Sequence, residues 1–235
     1  MSITTIKCVL IDLDHTLCST AEGAAAALSV FADRYGLTDL EEIKAQFREI
    51  NESLFLRYLN RHVSITEFRL RRYEQLLKLP GIKSTSQQSL AAEAAGFAEI
   101  MNRNCVLYED SLDFLEYLQS KRMKLALLTN GPVDGQRTKI EVLKIGHFFD
   151  QIFISGETGY EKPSPAAFTN ALNVLQGTPE NTVMIGDSLE LDIHPAVNLG
   201  IQAIHLDRSE QESNPDPQFQ TVASLKTLQS HNLIR

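Results

Sequence analysis

The stretch that most constrains this chain is Cys8-Val9-Leu10-Ile11-Asp12-Leu13-Asp14-His15-Thr16-Leu17. Four apolar residues run straight into two aspartates spaced i, i+2, with a threonine two further on. A short apolar run bounded by polar residues predicts a buried strand. Strands buried on both faces belong to parallel sheets covered by helices, and in such sheets ligands bind beyond the carboxyl ends of the strands. Two carboxylates at that point are costly to bury unless a positive charge sits between them. A hard divalent cation such as magnesium, which prefers oxygen ligands, meets that need. Taken alone, the pair fits equally a turn followed by a helix N-cap.

The next segment is helical throughout. An alanine-rich run, Ala24 to Ala27, predicts a helix ending near Gly36. Leu40, Ile43, Phe47, Ile50, Leu54 and Tyr58 recur at spacings of three and four, the pattern of an amphipathic helix over 39–59. Ser64 and Glu67 form a capping-box pattern that opens a third helix, closed by Pro80-Gly81. A fourth is expected from Ser84 to Asn104. No strand pattern occurs between about residues 20 and 105.

From Tyr108 the character changes to alternating strand and helix. A helix over 110–121 precedes the apolar strand Lys124 to Thr129, which ends in Asn130-Gly131. A helix (134–144), a strand (151–155), a loop (156–165) carrying Lys162-Pro163, and a helix (165–175) follow. The strand Thr182 to Ile185 then ends in Gly186-Asp187-Ser188-Leu189-Glu190-Leu191-Asp192. A helix to Leu199, a strand Gln202 to Leu206, a polar loop (207–218), a short strand near Thr221 and a closing helix complete the chain. The expected fold is α/β: a Rossmann-like doubly wound parallel sheet core, residues 1–19 and 107–235, with an inserted all-α helical domain, residues 20–106.

Composition narrows the function classes. With 235 residues, 43% hydrophobic and 22% charged, the chain reads as an ordinary globular protein. A formal net charge of −8 argues against a nucleic-acid polymer or a membrane surface as partner, since both call for a basic face. It leaves room for a small anionic ligand, because a metal ion and one lysine decide the local field. Three cysteines, Cys8, Cys18 and Cys105, lack metal spacing and read as reduced thiols of a cytoplasmic protein. No leader pattern is seen, and no apolar run approaches the about 18 residues of a membrane span. A monomer or homodimer is expected.

Four sets of polar residues lie at or just after strand ends: Asp12, Asp14 and Thr16; Thr129 and Asn130; Lys162; and Asp187, Ser188 and Asp192. Singly, each has an ordinary reading as a turn, a solvated lysine or a helix cap. Their occurrence in this order points to one convergent site. His147, His194 and His205 show no metal-ligand spacing, and His15 reads as a packing residue or one facing the helical insertion. Arg69, Arg71, Arg72 and Arg103 read as a solvated helix face, and a residue of the helical insertion is expected to touch substrate.

Together, Asp12-Leu13-Asp14-His15-Thr16, Thr129-Asn130, Lys162-Pro163 and Gly186-Asp187-Ser188-x-x-x-Asp192 resemble the four motifs of the haloacid dehalogenase-like hydrolase superfamily. The resemblance spans about residues 6 to 206, and the helical insertion resembles that superfamily's α-helical cap. Length and opening motif most resemble the subgroup holding pyrimidine 5′-nucleotidases and N-acylneuraminate-9-phosphatase. The resemblance implies a magnesium-dependent phosphomonoester hydrolase acting on a small phosphorylated metabolite, a nucleoside 5′-monophosphate among the candidates. It implies Asp12 as nucleophile, Asp14 as acid and base, and Lys162 as the charge-balancing cation. Magnesium would be held by Asp12, the Asp14 backbone carbonyl and Asp187. The phosphoryl group would be held by Thr129, Asn130 and Lys162, with Thr16 beside them fixing the Asp14 loop. Asp192 and Ser188 would support Lys162 and the metal. A sugar-phosphate mutase, a haloacid dehalogenase and a non-catalytic ligand-binding relative share the fold. Asp14 weighs against the dehalogenase, the opening motif against the mutase, and the complete residue set against the non-catalytic relative.

Overall fold

The computed structural model describes residues 5–59, 62–82, 90–209 and 216–230. The start expected for the fourth helix, Ser84 to Ser89, and residues 210–215 of the polar loop lie outside them. The chain divides into two compact units, residues 1–19 with 107–235 and residues 20–106.

The first unit is built on a six-stranded sheet of β1 (Cys8–Ile11), β4 (Lys124–Thr129), β5 (Gln151–Ile154), β6 (Thr182–Gly186), β7 (Gln202–Leu206) and β8 (Gln220–Val222), in the order β5-β4-β1-β6-β7-β8. Every neighbouring pair is parallel. β1 sits between β4 and β6, with Ile11 level with Leu127 on one side and Ile185 on the other. The chain moves outward from β1 to β4 and β5, then crosses to β6 on the opposite side. The order therefore reverses beside β1, the place where parallel sheets open a crevice for ligands. The expected doubly wound sheet is thus present, with strands where the apolar runs lie. Two short strands, β2 (Cys18–Ser19) and β3 (Val106–Leu107), form a separate two-stranded sheet. Two residues are too few to carry a periodicity, so the sequence pattern does not disclose them.

Alternation along the strands divides the core in two, as a period of two requires. Val9, Ile11, Leu125, Leu127, Val183, Ile185, Ile204 and Leu206 face one side. There they meet Phe114, Leu115 and Leu118 of α5 (Ser111–Ser120), Ile140 of α6 (Val133–Leu143), and Leu225 and Leu228 of α10 (Leu225–Ser230). Cys8, Leu10, Ala126, Leu128, Met184 and Ala203 face the other, against Phe168, Ala171 and Leu175 of α8 (Pro165–Leu175) and Ala196 of α9 (His194–Asn198). A single-turn helix, α7 (Ser155–Thr158), occupies part of the loop expected after β5. The continuous helix expected between β6 and β7 is instead a π-turn, Leu189–Ile193, followed by α9. Pro195 explains the change: it lacks an N–H and its ring crowds the preceding turn.

The second unit consists of α1 (Ala21–Tyr35), α2 (Leu40–Leu59), α3 (Ile65–Leu76) and α4 (Leu90–Arg103), with no strand among its described residues 20–105. α1 stops at Gly36, whose φ of 66° closes the helix in the left-handed conformation. Ser64 and Glu67 form both halves of the expected capping box. Leu28, Phe31, Ile43, Phe47, Tyr73, Leu76 and Phe97 make the core of the bundle. Arg72 departs from the solvated face expected for it: it is only 8% exposed. Its guanidinium lies 5.1–6.0 Å from the ring centres of Phe47, Phe68 and Phe97, and donates to the Asn51 side chain at 3.1 Å. Burial lowers it to about 10. Among the described residues, no helix is long and apolar enough to cross a membrane.

Phe168 is fully buried under the central strands. Phe168→Ala is expected to cost about 3–5 kcal/mol, by lost transfer energy and a cavity the sheet cannot fill. Chemical denaturation of both proteins reads this directly. A loss below about 1 kcal/mol would show that the α8 face repacks.

Candidate active site

The level register of β1, β4 and β6 brings three carboxyl ends to one place, and each strand ends in polar residues. Asp12 continues β1 by donating its backbone N–H to the Ile185 carbonyl at 3.0 Å. The residue is buried, and its carboxylate forms an ion pair with Lys162 at 2.6 Å. Lys162 Nζ reaches Asp192 at the same distance, so one buried ammonium lies between two buried carboxylates. Burial opposes the lysine's charge, but Asp12 and Asp192 outweigh it and hold the ammonium above the usual lysine range.

The loop carrying Lys162 is fixed from β4. The Asn130 side chain donates to the Lys162 carbonyl at 2.7 Å and accepts from the Lys162 N–H at 2.9 Å. Asn130 therefore spends its side chain on the lysine's backbone. Asp192 is set by the π-turn. Its carboxylate accepts from the Ser188 N–H at 3.2 Å, while Ser188 Oγ caps the turn by accepting from the Leu191 N–H. A side chain at Gly186 would collide with the Asp192 carboxylate, so only glycine lets this acid lie against the end of β6.

Asp187 lies beyond the end of β6. Thr16 donates to it at 3.4 Å, and His205 Nε2 sits 3.0 Å from its carbonyl. A carbonyl only accepts, so that ring nitrogen carries the proton. Thr16 is fully buried, and its hydroxyl braces Asp187. Arg208 holds the Thr16 carbonyl at 2.8 Å, pairs with Asp110 at 2.9 Å and lies over the Tyr108 ring at 3.9 Å.

Asp12, Asp187 and Asp192 offer oxygen atoms that all lie within 4.8 Å of one another. Lys162 pairs with two of them, Asp12 and Asp192. Burial pushes Asp12 up to about 6, against the pull of Lys162. Asp187 is raised to about 6 by burial and then by the Asp12 charge. Burial raises Asp192 as well, in spite of Lys162. A cluster with more negative than positive charge, all oxygen donors and carboxyls held too high, suits a hard divalent cation.

Asp14 stands apart from this cluster. Its carboxylate pairs with Lys139 Nζ at 2.6 and 2.7 Å and accepts from Gln136 Nε2 at 3.0 Å. Burial works to raise Asp14, but Lys139 and Gln136 outweigh it and hold the carboxyl below the usual range. Gln136 also donates to the Thr129 hydroxyl and the Asn130 carbonyl, each at 2.7 Å. Gly131, with φ of 147°, makes room for it: a Cβ there would press on the Gln136 side chain at 3.0–3.1 Å. Thr129 is almost wholly buried, and its hydroxyl accepts from Gln136 while keeping a proton to donate. Sequence reasoning missed Gln136, Lys139, His205 and Arg208. The available signal was Gln136-x-x-Lys139, one helical face directly after Thr129-Asn130-Gly131.

This chain belongs to the haloacid dehalogenase-like hydrolases, a family it matches over residues 6–200. Among its relatives is N-acylneuraminate-9-phosphatase of Homo sapiens, 31% identical over 212 residues, which span 86% of this chain and 83% of that one. Phosphoserine phosphatase of Thermus thermophilus is 30% identical over 234 residues, spanning 90% and 92% of the two chains. In structure the chain is similar to the HAD-hydrolase YfnB of Bacillus subtilis, with a TM-score of 0.84 over 98% of this chain and 99% of that one. At 23% identity that likeness concerns the fold. The superfamily read from the four motifs is the family found.

The raised carboxyls have a consequence for stability. Between the ordinary carboxylate value of about 4 and about 6, the folded chain binds protons that the unfolded chain has released. Stability therefore falls as pH rises through that window. Asp187→Asn is expected to stabilise the metal-free chain at pH 7 by on the order of 2 kcal/mol and to flatten its stability between about pH 4 and 6. Thermal melts in EDTA across that range measure both effects. A destabilised variant would mean that the surroundings of Asp187 favour its charge.

Proposed function

We propose that this chain is a magnesium-dependent phosphatase that hydrolyses a small phosphomonoester through an aspartyl-phosphate on Asp12. The observation that carries the reading is the arrangement of charges around Asp12: a carboxylate at the end of β1, 2.6 Å from the buried Lys162, with Asp187 beside it. A carboxylate so placed, next to a fixed cation, is a nucleophile suited to phosphorus. The two relatives at about 30% identity carry phosphatase names, and the YfnB structure is described as bound to magnesium, which supports the same reading.

Asp12, the Asp14 backbone carbonyl and Asp187 would hold magnesium, with Asp192 kept on Lys162 by its ion pair. Magnesium bound there would neutralise phosphoryl oxygens and so lower the barrier to attack. Asp12 attacks phosphorus, and the bond to the leaving oxygen breaks. Asp14 gives that oxygen its proton. Asp14 then takes a proton from water as the water attacks the aspartyl-phosphate, releasing inorganic phosphate and restoring Asp12. Lys139 holds Asp14 ionised in the resting chain, the form suited to the second step. The negative charge of an arriving phosphate raises the carboxyl and favours the form needed for the first. Thr129, through its hydroxyl proton, and the Asn130 backbone N–H hold phosphoryl oxygens. Lys162 offsets the charge that Asp12 gives up. Substrate choice is assigned to the helical unit, residues 20–106.

Asp12→Asn is expected to abolish turnover while leaving the thermal melt cooperative. Full activity in that variant would remove Asp12 as nucleophile. Phosphate release from nucleoside 5′-monophosphates, N-acylneuraminate 9-phosphate, phosphoserine, phosphoglycolate and hexose phosphates, with magnesium and with EDTA, tests the reaction and its substrate class together. Magnesium-dependent release concentrated on one class is expected. Isomerised hexose phosphate without release would place the chain among the mutases.

A further inference from the structure

We propose that Gln136 and Lys139 of α6 are positioning residues that aim the Asp14 carboxylate for proton transfer to the leaving group. The inference rests on the phosphatase reading and adds to it two residues outside the four motifs. Three contacts carry it. Lys139 Nζ grips both Asp14 oxygens, at 2.6 and 2.7 Å, so the carboxylate cannot turn about its own axis without losing one of them. Gln136 Nε2 lies 3.0 Å from Oδ2 and fixes the plane from a second direction. The same amide nitrogen lies 2.7 Å from the Thr129 hydroxyl and from the Asn130 carbonyl. One buried amide thus spans the acid of β1 and the threonine at the end of β4.

Both residues are almost wholly enclosed, Gln136 at 2% and Lys139 at 9% exposure. A solvated pair one helical turn apart would not be. They belong to the same compact unit as Asp14 and Thr129, so the clamp is complete within that unit. Gln136 Oε1 is buried without a hydrogen-bond partner among the described residues. Turning the amide over would set that oxygen against the Asp14 and Asn130 oxygens, so the orientation with the nitrogen inward is dictated by the acceptors around it. An unpaired buried oxygen costs stability, and here the cost is borne where the nitrogen serves three acceptors at the site.

The test is a series of substituted phenyl phosphates assayed with magnesium, from 4-nitrophenyl to 4-methoxyphenyl. kcat/KM reports bond breaking to the leaving group. 4-Nitrophenolate departs without a proton, whereas 4-methoxyphenolate needs one. Lys139→Met is expected to lower kcat/KM for the 4-methoxyphenyl ester about tenfold or more, and much less for the 4-nitrophenyl ester. The dependence on leaving-group basicity steepens, and Lys139→Arg restores most of it. A merely structural role lowers all the esters alike, and a slope equal to that of the unmodified protein, or shallower, as follows if Lys139 acts only by holding Asp14 ionised, overturns the inference. Should Lys139→Met fail to fold, Gln136→Met keeps the ion pair and is expected to steepen the slope to a smaller degree. An unchanged slope there overturns the inference as well. If the unmodified protein releases no phosphate from any ester, the phosphatase reading falls first. If it does and the slopes match, only the clamp falls.

Discussion

One buried ammonium holds the site together. Lys162 lies between Asp12, which ends β1, and Asp192, which belongs to the π-turn after β6, at 2.6 Å from each. Its own backbone is clasped by Asn130 at the end of β4. Three adjacent strands are thereby tied at their carboxyl ends through a single residue. Breaking such a buried pair by removing one member typically costs about 3–5 kcal/mol, because the remaining charges are left without compensation. The sheet brings the strand ends level, and the ion pairs then keep those ends from fraying apart.

The site is electrically divided. On one side, Asp12, Asp187 and Asp192 crowd together and share one lysine. On the other, Asp14 is matched by its own lysine, Lys139, and held ionised. Two aspartates two positions apart in the chain thus occupy opposite environments. Both follow the end of β1 at Ile11, and the neighbouring elements supply a cation to each side. Such a division lets one short motif provide two carboxylates of different character.

What was legible in the sequence was what short-range pattern encodes. The apolar runs at Cys8–Ile11, Lys124–Thr129 and Thr182–Gly186 are central strands, and strands buried on both faces carry their signal in every residue. The Ser64–Glu67 capping box is equally local. The positions of Asp12, Lys162 and Asp192 could be gathered only because motif order carries long-range information. What stayed hidden depends on a helix's rotation or on contacts between distant residues. Gln136 and Lys139 look like any polar face until α6 is seen to turn that face toward Asp14. Arg72 looks solvated until three phenylalanine rings close over it. The π-turn comes from Pro195, whose effect is felt in the preceding turn rather than at its own position.

The central place of β1 bears on how the chain acquires its structure during synthesis. Cys8 has Lys124 and Thr182 as its register partners, so the strand emerges long before either neighbour exists. The four helices that follow it make contacts mainly with one another, and they can close as the ribosome delivers them. Until β4 and then β6 arrive, Val9, Leu10 and Ile11 have no sheet to enter. The strand that finally occupies the middle of the sheet is therefore the one exposed longest to wrong partners, and chaperone binding during translation should centre on it.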